Sequence, residues 1–268
     1  TAGSTGSSTY ITTNPDGEVI LNPAAGSEFS STTIPAGWGE AIWDAQAGAL
    51  TTYGSGQVTV DGTHLYSTTT FGPGTSIEYV ATYTNGNFQN VGFTADDQFN
   101  NPWVVIGRGA AGDNDVYART WDNQVASLGS TLLNAPHRYR IQWNSGTNDF
   151  QFYVDGVLIS TPAITATVST TMNVQISDYP AGGYGLTVDW IHVSPYSTPG
   201  TFESRIYDAG ASRNWADASW NADVPSGTAL SISVRKGDTP TPDGSWTAYT
   251  TVATSGGSVG GSSRYIQY

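Results

Sequence analysis

The segment RYRIQWNSGTNDFQFYVDGVLIS, residues 138–160, alternates apolar and polar side chains on either side of a turn-forming run. Tyr139, Ile141 and Trp143 fall on one face of a strand, and Arg138, Arg140 and Gln142 fall on the other. Beyond the turn, Phe150, Phe152 and Val154 alternate with Gln151, Tyr153 and Asp155. Successive side chains of a strand point to opposite faces, so this pattern predicts a hairpin with one apolar face. Its turn is built on Asn144, Ser145, Gly146, Thr147 and Asn148. Asp155-Gly156 is a tight-turn pair and leads into a third strand at Val157-Leu158-Ile159.

The same texture extends both ways. Tyr10 to Leu21 reads as two short strands around Asn14-Pro15-Asp16-Gly17, and Asn22 to Gly48 carries turn signals with little periodicity. Gln57 to Val60 is expected to pair with His64 to Tyr66 across Asp61-Gly62. Ser76 to Tyr83 puts Ile77, Tyr79, Ala81 and Tyr83 on one face, and Asn85-Gly86 predicts a hairpin into Phe88 to Phe93. Trp103 to Arg108 pairs with Val116 to Trp121, and strands follow near Met172 to Ile176 and Leu186 to Val193. Apolar residues nowhere recur at helical spacing over three turns. Many short strands without intervening helices predict an all-β antiparallel sandwich.

Ser194 to Gly200 (SPYSTPG) reads as a junction. After it, Phe202 to Asp208, Trp215 to Trp220, Ala229 to Arg235 and Ser245 to Val252 are expected strands of a second, smaller β module, with Asp238 to Gly244 as a long turn. The expected organisation is a flexible segment over 1–9, a strand-like segment over 10–26, a sandwich over 27–197 and the smaller module over 198–268.

Composition narrows the function. The 268 residues carry a net charge of −13, with 22 Asp and Glu against 9 Lys and Arg, and Lys236 is the single lysine. Phosphate backbones and anionic membrane surfaces need clustered cations, so nucleic acid is excluded as a partner. No stretch approaches the roughly 18 apolar residues of a membrane span, so membrane insertion is not expected. With no cysteine there is neither a disulfide nor a thiolate metal site. The Ser/Thr/Gly-rich start and the lysine-poor composition point to a secreted or cell-surface protein.

HRYRIQWN…FYVDGVLI at 137–159, with SIEYVATY, FQNVGF, YARTW and LTVDWIHVSPY, resembles the strands of concanavalin A-like, laminin-G-like jelly rolls over about residues 27–197. FESRIYDAG…SSRYIQY resembles a β module that follows such jelly rolls in large bacterial surface proteins. That second resemblance implies one more strand after Tyr268, for which Tyr10 to Leu21 of this chain or of a neighbouring copy is the expected source. Lectins, carbohydrate-binding modules and glycan-cleaving enzymes share the first fold, so the fold does not fix the activity.

Retaining glycosidases need two carboxylates about 5 Å apart. The resemblance implies a Glu-x-Asp-x-x-Glu strand for such enzymes, and the chain has none. Glu40 and Asp44 stand about 13 Å apart at the strand rise, too far for that geometry. Glu78 is expected near Gln89 and Asn90 on a sheet face. The arginine-rich strand of alginate-lyase-like members is echoed by Arg138-Tyr139-Arg140 and Tyr117-x-Arg119, but a Gln-x-His strand is missing. His64, His137 and His192 share no spacing and are expected at surfaces or edges. Gly256-Gly257-Ser258-Val259-Gly260 fits the nucleophile-elbow spacing but lies in a Gly/Ser-rich loop.

Trp103, Tyr117, Arg119 and Trp121 are the candidate ligand-binding residues, because pyranose rings offer apolar faces to aromatic rings and hydroxyls to planar polar groups. Calcium is the metal these loops would suit, with Asp113 and Asp115 as candidate ligands and Asp96-Asp97 as a second acidic pair. No other cofactor is expected. Three functions follow. The first is a non-catalytic surface module that binds a glycan or cell-surface polymer, or mediates adhesion. The second is a homo-oligomeric filament subunit assembled by strand exchange. The third is a glycoside hydrolase or polysaccharide lyase.

Overall fold

The computed structural model describes every residue except 1, 2, 7, 13–16, 45, 110–114, 148, 165 and 225–227, together with all side chains of those residues but 160–163. Contacts divide the chain into two units, Asn22–Ser197 and Thr1–Leu21 with Thr198–Tyr268. Among the described residues all regular structure is β.

The N-terminal strands are β1 (Gly3–Thr5), β2 (Thr9–Ile11) and β3 (Val19–Leu21). The larger unit follows with β4 (Pro23–Ser27), β5 (Trp38–Ile42), β6 (Leu50–Gly54), β7 (Gln57–Asp61), β8 (Thr63–Ser67), β9 (Ser76–Thr82), β10 (Gln89–Thr94) and β11 (Trp103–Gly107). It continues with β12 (Val116–Thr120), β13 (Val125–Gly129), β14 (His137–Trp143), β15 (Phe150–Val154), β16 (Val157–Ile164), β17 (Asn173–Asp178) and β18 (Leu186–Tyr196). One sheet has seven strands in the order β13-β12-β11-β10-β17-β8-β5. The other has eight, β16-β15-β14-β9-β18-β7-β6 with β4 also paired to β18.

The hairpin at 138–160 is a framework element. Ile141 lies opposite Phe152 on β15 and opposite Ile77 on β9. Tyr139, Ile141 and Trp143 have no exposed surface, and the Phe150, Phe152 and Val154 faces are buried with them. Val91, Phe93, Val104, Ile106, Val174 and Ile176 of the seven-stranded sheet complete the same core. Phe93 meets Trp143 edge-on at 5.4 Å, and Phe150 stacks on Trp143 at 5.3 Å. Each fully buried side chain of this size contributes about 1.5–3 kcal/mol relative to exposure.

Two expected hairpins are corners between sheets. β7 pairs with β6 and β18, whereas β8 pairs with β5 and β17. Asp61-Gly62 therefore carries the chain from one sheet to the other. Gly62 (φ 66°) sits where a Cβ would press on Ala181 at 2.7 Å. Asn85-Gly86 likewise links β9 in the eight-stranded sheet to β10 in the seven-stranded one. Gly86 makes room for the Tyr184 carbonyl, 2.6 Å from where a Cβ would stand, and is absent from the positive-φ glycines a two-residue hairpin turn requires. A local turn signal says that the chain reverses; the distant partners decide which sheet it joins. The irregular stretch expected over 22–48 contains β4 and β5, whose Pro-, Ala- and Gly-containing sequences show little periodicity because they lie at sheet margins.

The smaller unit adds β19 (Phe202–Ser204), β20 (Tyr207–Asn214), β21 (Asp217–Ala218), β22 (Ile232–Gly237), β23 (Thr250–Val252), β24 (Gly257–Ser258) and β25 (Ser262–Gln267). Its main sheet runs β20-β25-β22-β23 over a core of Val234, Trp246, Val252 and Tyr265. The strand expected from Ser245 begins at Thr250 instead. Asp243 ties the backbone and side chain of Ser245 into the turn at 2.8 and 2.5 Å, and Trp246 plugs the core with its indole N–H donating to Thr239 Oγ1 at 2.9 Å. β2 and β3 pair with one another, and β1 pairs with β19. The segment 10–21 thus meets its own hairpin partner rather than β25. The Asn14–Asp16 part of its turn lies outside the described residues.

Candidate functional site

The face of the seven-stranded sheet turned away from the core collects aromatic and polar side chains. Period-two alternation puts Val104, Ile106, Val116 and Ala118 into the core, so Trp103, Tyr117 and Arg119 point outward. Register places Arg119 opposite Val105 and Tyr117 opposite Gly107. The Arg119 guanidinium lies 5.8 Å from the Trp103 ring centroid and donates to the Arg108 carbonyl at 3.1 Å. Phe99 adds a second ring 5.6 Å from Trp103. Trp121 lies in the turn after β12 and packs partly against the core, so it leaves this face.

Toward the centre, Asn90, Gly92 and Thr94 of β10 lie opposite Ser177, Gln175 and Asn173 of β17. Gln175 and Ser177 lie in turn opposite Tyr66 and His64 of β8. Trp43 closes the far side. Its ring stacks on His64 at 3.9 Å, and its indole N–H donates to Ser177 Oγ at 3.1 Å. At the usual strand spacing, the distance from Tyr117 on β12 to His64 on β8 is about 19 Å. Aromatic rings therefore stand at both ends of a polar floor.

That floor is buried yet incompletely satisfied. His64, Thr94 and Gln175 are each at most 1% exposed. Gln175 Nε2 donates to the Asp97 carbonyl at 2.8 Å and Asn90 Nδ2 to the Phe88 carbonyl at 2.9 Å. Among the described residues Gln175 Oε1, Asn90 Oδ1 and Thr94 Oγ1 complete no hydrogen bond, and the His64 ring has only a weak approach to the Asp97 backbone. Buried polar atoms are nearly always paired, so this incompletely bonded cluster is unusual. Burial lowers the His64 pKa to about 4, against the pull of Asp97 and Glu40, so the ring is neutral at neutral pH. His64 and His192 are not the surface residues expected. Each lies beneath a tryptophan, His192 stacking on Trp190 at 4.5 Å.

Carboxylates reach this face only from beyond its outward strand positions, where Asp97 and Glu40 act on His64. None of the outward strand positions of this sheet is an Asp or Glu: β5 presents Gly39 and Ala41, β13 presents Val125 and Ser127, and the strands between present the residues named above. Glu40 accepts from Tyr53 at 2.8 Å and Asp44 from Tyr179 at 2.5 Å, two separate contacts. Glu78 does not join Gln89 and Asn90. It belongs to β9 in the other sheet and pairs with Arg138 at 2.6 Å.

Asp96 and Asp115 of the acidic loops are held by hydrogen bonds within the chain. Partial burial opposes ionisation of Asp96, but bonds from Asn100 and Gln98 outweigh it and hold the carboxyl below its ordinary value. Asp115 accepts from Ser127 at 2.6 Å, and Asp113 lies outside the described residues. Among the described residues no three His, Asp or Glu side chains converge. Ser258 of the Gly-x-Ser-x-Gly stretch sits in β24, paired to β21 with no helix behind it, so it is not a nucleophile elbow. Sequence reasoning missed Trp43, Tyr66, His64 and Gln175. A Gln-x-Ser and a His-x-Tyr spacing were the only signals, and sheet membership was needed to join them.

No family model matches the chain, and no curated protein matches it. Solved structures do. A protein described with the endo-acting O-glycanases of human gut microbiota that initiate mucin breakdown superposes with a TM-score of 0.51 at 12% identity, covering 66% of this chain and 100% of that one. The Bacillus licheniformis β-glucanase gives 0.47 at 17%, covering 66% and 100%. A pseudo β-1,3-glucanase of Mycobacterium tuberculosis gives 0.49 at 14%, covering 66% and 100%. At such identities the likeness speaks for the fold alone: this chain is an all-β protein with a concanavalin A-like jelly-roll sandwich and a smaller β module.

Proposed function

We propose that the protein is an extracellular, non-catalytic module that binds glycan through the outward face of its seven-stranded sheet. The observation that carries this reading is the make-up of that face. Aromatic rings flank a floor of amides, hydroxyls and a neutral imidazole, and no outward strand position supplies a carboxylate. Aromatic faces suit the C–H faces of pyranoses, and planar amide and hydroxyl groups beside them suit their hydroxyls. Hydrolysis with either stereochemistry needs a carboxyl pair flanking the bond, which the strands of this face do not offer.

Affinity electrophoresis against soluble neutral polysaccharides tests the reading. A retained polysaccharide should be released at least about tenfold more readily by Trp103→Ala, the loss expected when an aromatic binding anchor is truncated. Reducing-end assays should stay silent. Equal retention of Trp103→Ala and wild type, or release of reducing ends, would overturn it.

A second reading, a structural subunit growing by strand addition, has one feature in its favour. Among the described residues β20 pairs only with β25, and seven of its eight residues are exposed. An open edge is a template for another chain. Size-exclusion chromatography showing monomers at every concentration would dispose of it.

A further inference from the structure

The outward face of the eight-stranded sheet holds an arginine that joins no ion pair among the described residues. Register aligns Tyr153, Arg140, Glu78 and His192 in one row across β15, β14, β9 and β18. The carboxylates of this row and its neighbours already have partners. Glu78 takes Arg138 at 2.6 Å and Glu28 takes His192 at 2.6 Å. Asp155 takes His137 at 2.8 Å, and Asp189 takes Gln57 at 2.7 Å. Arg140 has no ion pair or hydrogen bond among the described residues, and its Nε is buried without a partner. Its guanidinium is held 4.2 Å over the Tyr153 ring, which fixes the plane of the fork.

Donors surround it. Gln151, diagonal to Arg140 across the β14–β15 pair, accepts from Tyr153 through Oε1 at 3.1 Å, which leaves its NH2 group for another acceptor. Burial, with Glu78 nearby, pushes the Tyr196 hydroxyl up to about 12, so it remains protonated near these arginines. A planar guanidinium, immobilised by stacking and stripped of protein acceptors, matches a carboxylate through two parallel hydrogen bonds. In a chain of net charge −13, long-range attraction cannot gather anions, so the local fork must do the selecting.

We propose that Arg140, backed by Tyr153 and flanked by Gln151, is a second glycan site that recognises the carboxylate of a uronic acid. The assignment of the carboxylate to a sugar rests on the glycan reading above; the anion preference rests on Arg140 alone.

Calorimetric titration of the whole protein with tetragalacturonic acid and with its methyl ester tests this. The ester keeps the sugar and removes the charge. Wild type is expected to bind the acid and not the ester. Arg140→Gln is expected to weaken binding of the acid by about tenfold or more, because a charge-assisted bidentate pair is lost. Arg140→Lys keeps the charge but not the fork, and is expected to lose about threefold or more. Thermal melts establish that both variants are folded, and the lysine variant serves should the glutamine one fail. Binding of the acid without any neutral polysaccharide would sink the preceding reading and leave this one standing. Equal binding of acid and ester, unchanged affinity in Arg140→Gln, or Arg140-dependent binding of polyglutamate with none of the acid would overturn it.

Discussion

Trp143 shows how much one side chain carries here. It is fully buried between Phe93 and Phe150, one from each sheet. Trp143→Ala is expected to cost about 3–5 kcal/mol, the transfer term plus the cavity left behind. Leu158, next to the same hairpin but 42% exposed at a sheet edge, should lose under about 0.5 kcal/mol as Leu158→Ala. Urea denaturation of both variants checks the contrast, and similar midpoints would show that the core is not organised around Trp143. Burial of this residue was legible from the alternation at 138–160. The burial of His64 was not, because only the tertiary fold lays Trp43 over it.

At the level of elements, glycine does two different things. Gly156 (φ 79°) follows Asp155 (φ 50°) in the turn between β14–β15 and β16, and nothing stands within 4 Å of where its Cβ would be. Gly156→Ala should therefore cost about 1 kcal/mol, the backbone price alone. Gly92, in the middle of the seven-stranded sheet, has ordinary backbone angles, but a Cβ there would overlap the Val104 carbonyl oxygen. Gly92→Ala should cost about 2 kcal/mol or more through overpacking. A larger loss at Gly156 than at Gly92 in thermal melts would reverse this ranking. Paired strands were readable wherever the partner was adjacent in sequence, as in β14–β15 and β11–β12. They were misread at Asp61-Gly62 and Asn85-Gly86, where the next strand belongs to the opposite sheet.

The larger unit as a whole has opposed proton-linked terms. Burial, reinforced by Asp61 and countered by a hydrogen bond from Gln89, pushes Asp178 up to about 7. The native state then holds a proton that the unfolded state has released, so this term loses stability as pH rises from about 4 to about 7. His64, lowered to about 4, works the other way: the unfolded state binds the extra proton, so stability rises with pH between about 4 and 6.5. Each is on the order of 2 kcal/mol once solvent screening is counted, so they nearly cancel. Unfolding free energy should be almost flat across that window in the wild type. Asp178→Asn should unmask a rise with pH and His64→Gln a fall. Urea unfolding at several pH values measures both, and an unchanged slope in Asp178→Asn would show that its carboxyl titrates normally.

The sequence by itself determined that this protein is β throughout, that its hairpin at 138–160 buries one face, and that a smaller β module follows near Ser197. It could do so because period-two alternation and turn chemistry are local properties. It also named Trp103, Tyr117 and Arg119 together, since they lie on adjacent strands. Only the tertiary structure decided which sheet each strand joins, and so brought Trp43, His64, Asn90 and Gln175 onto the Trp103 face, removed Trp121 and Glu78 from it, and left Arg140 outside the ion pairs of the described residues. Those placements depend on pairings between residues as far apart as His64 and Ser177, or Glu78 and His192, and no local pattern encodes them.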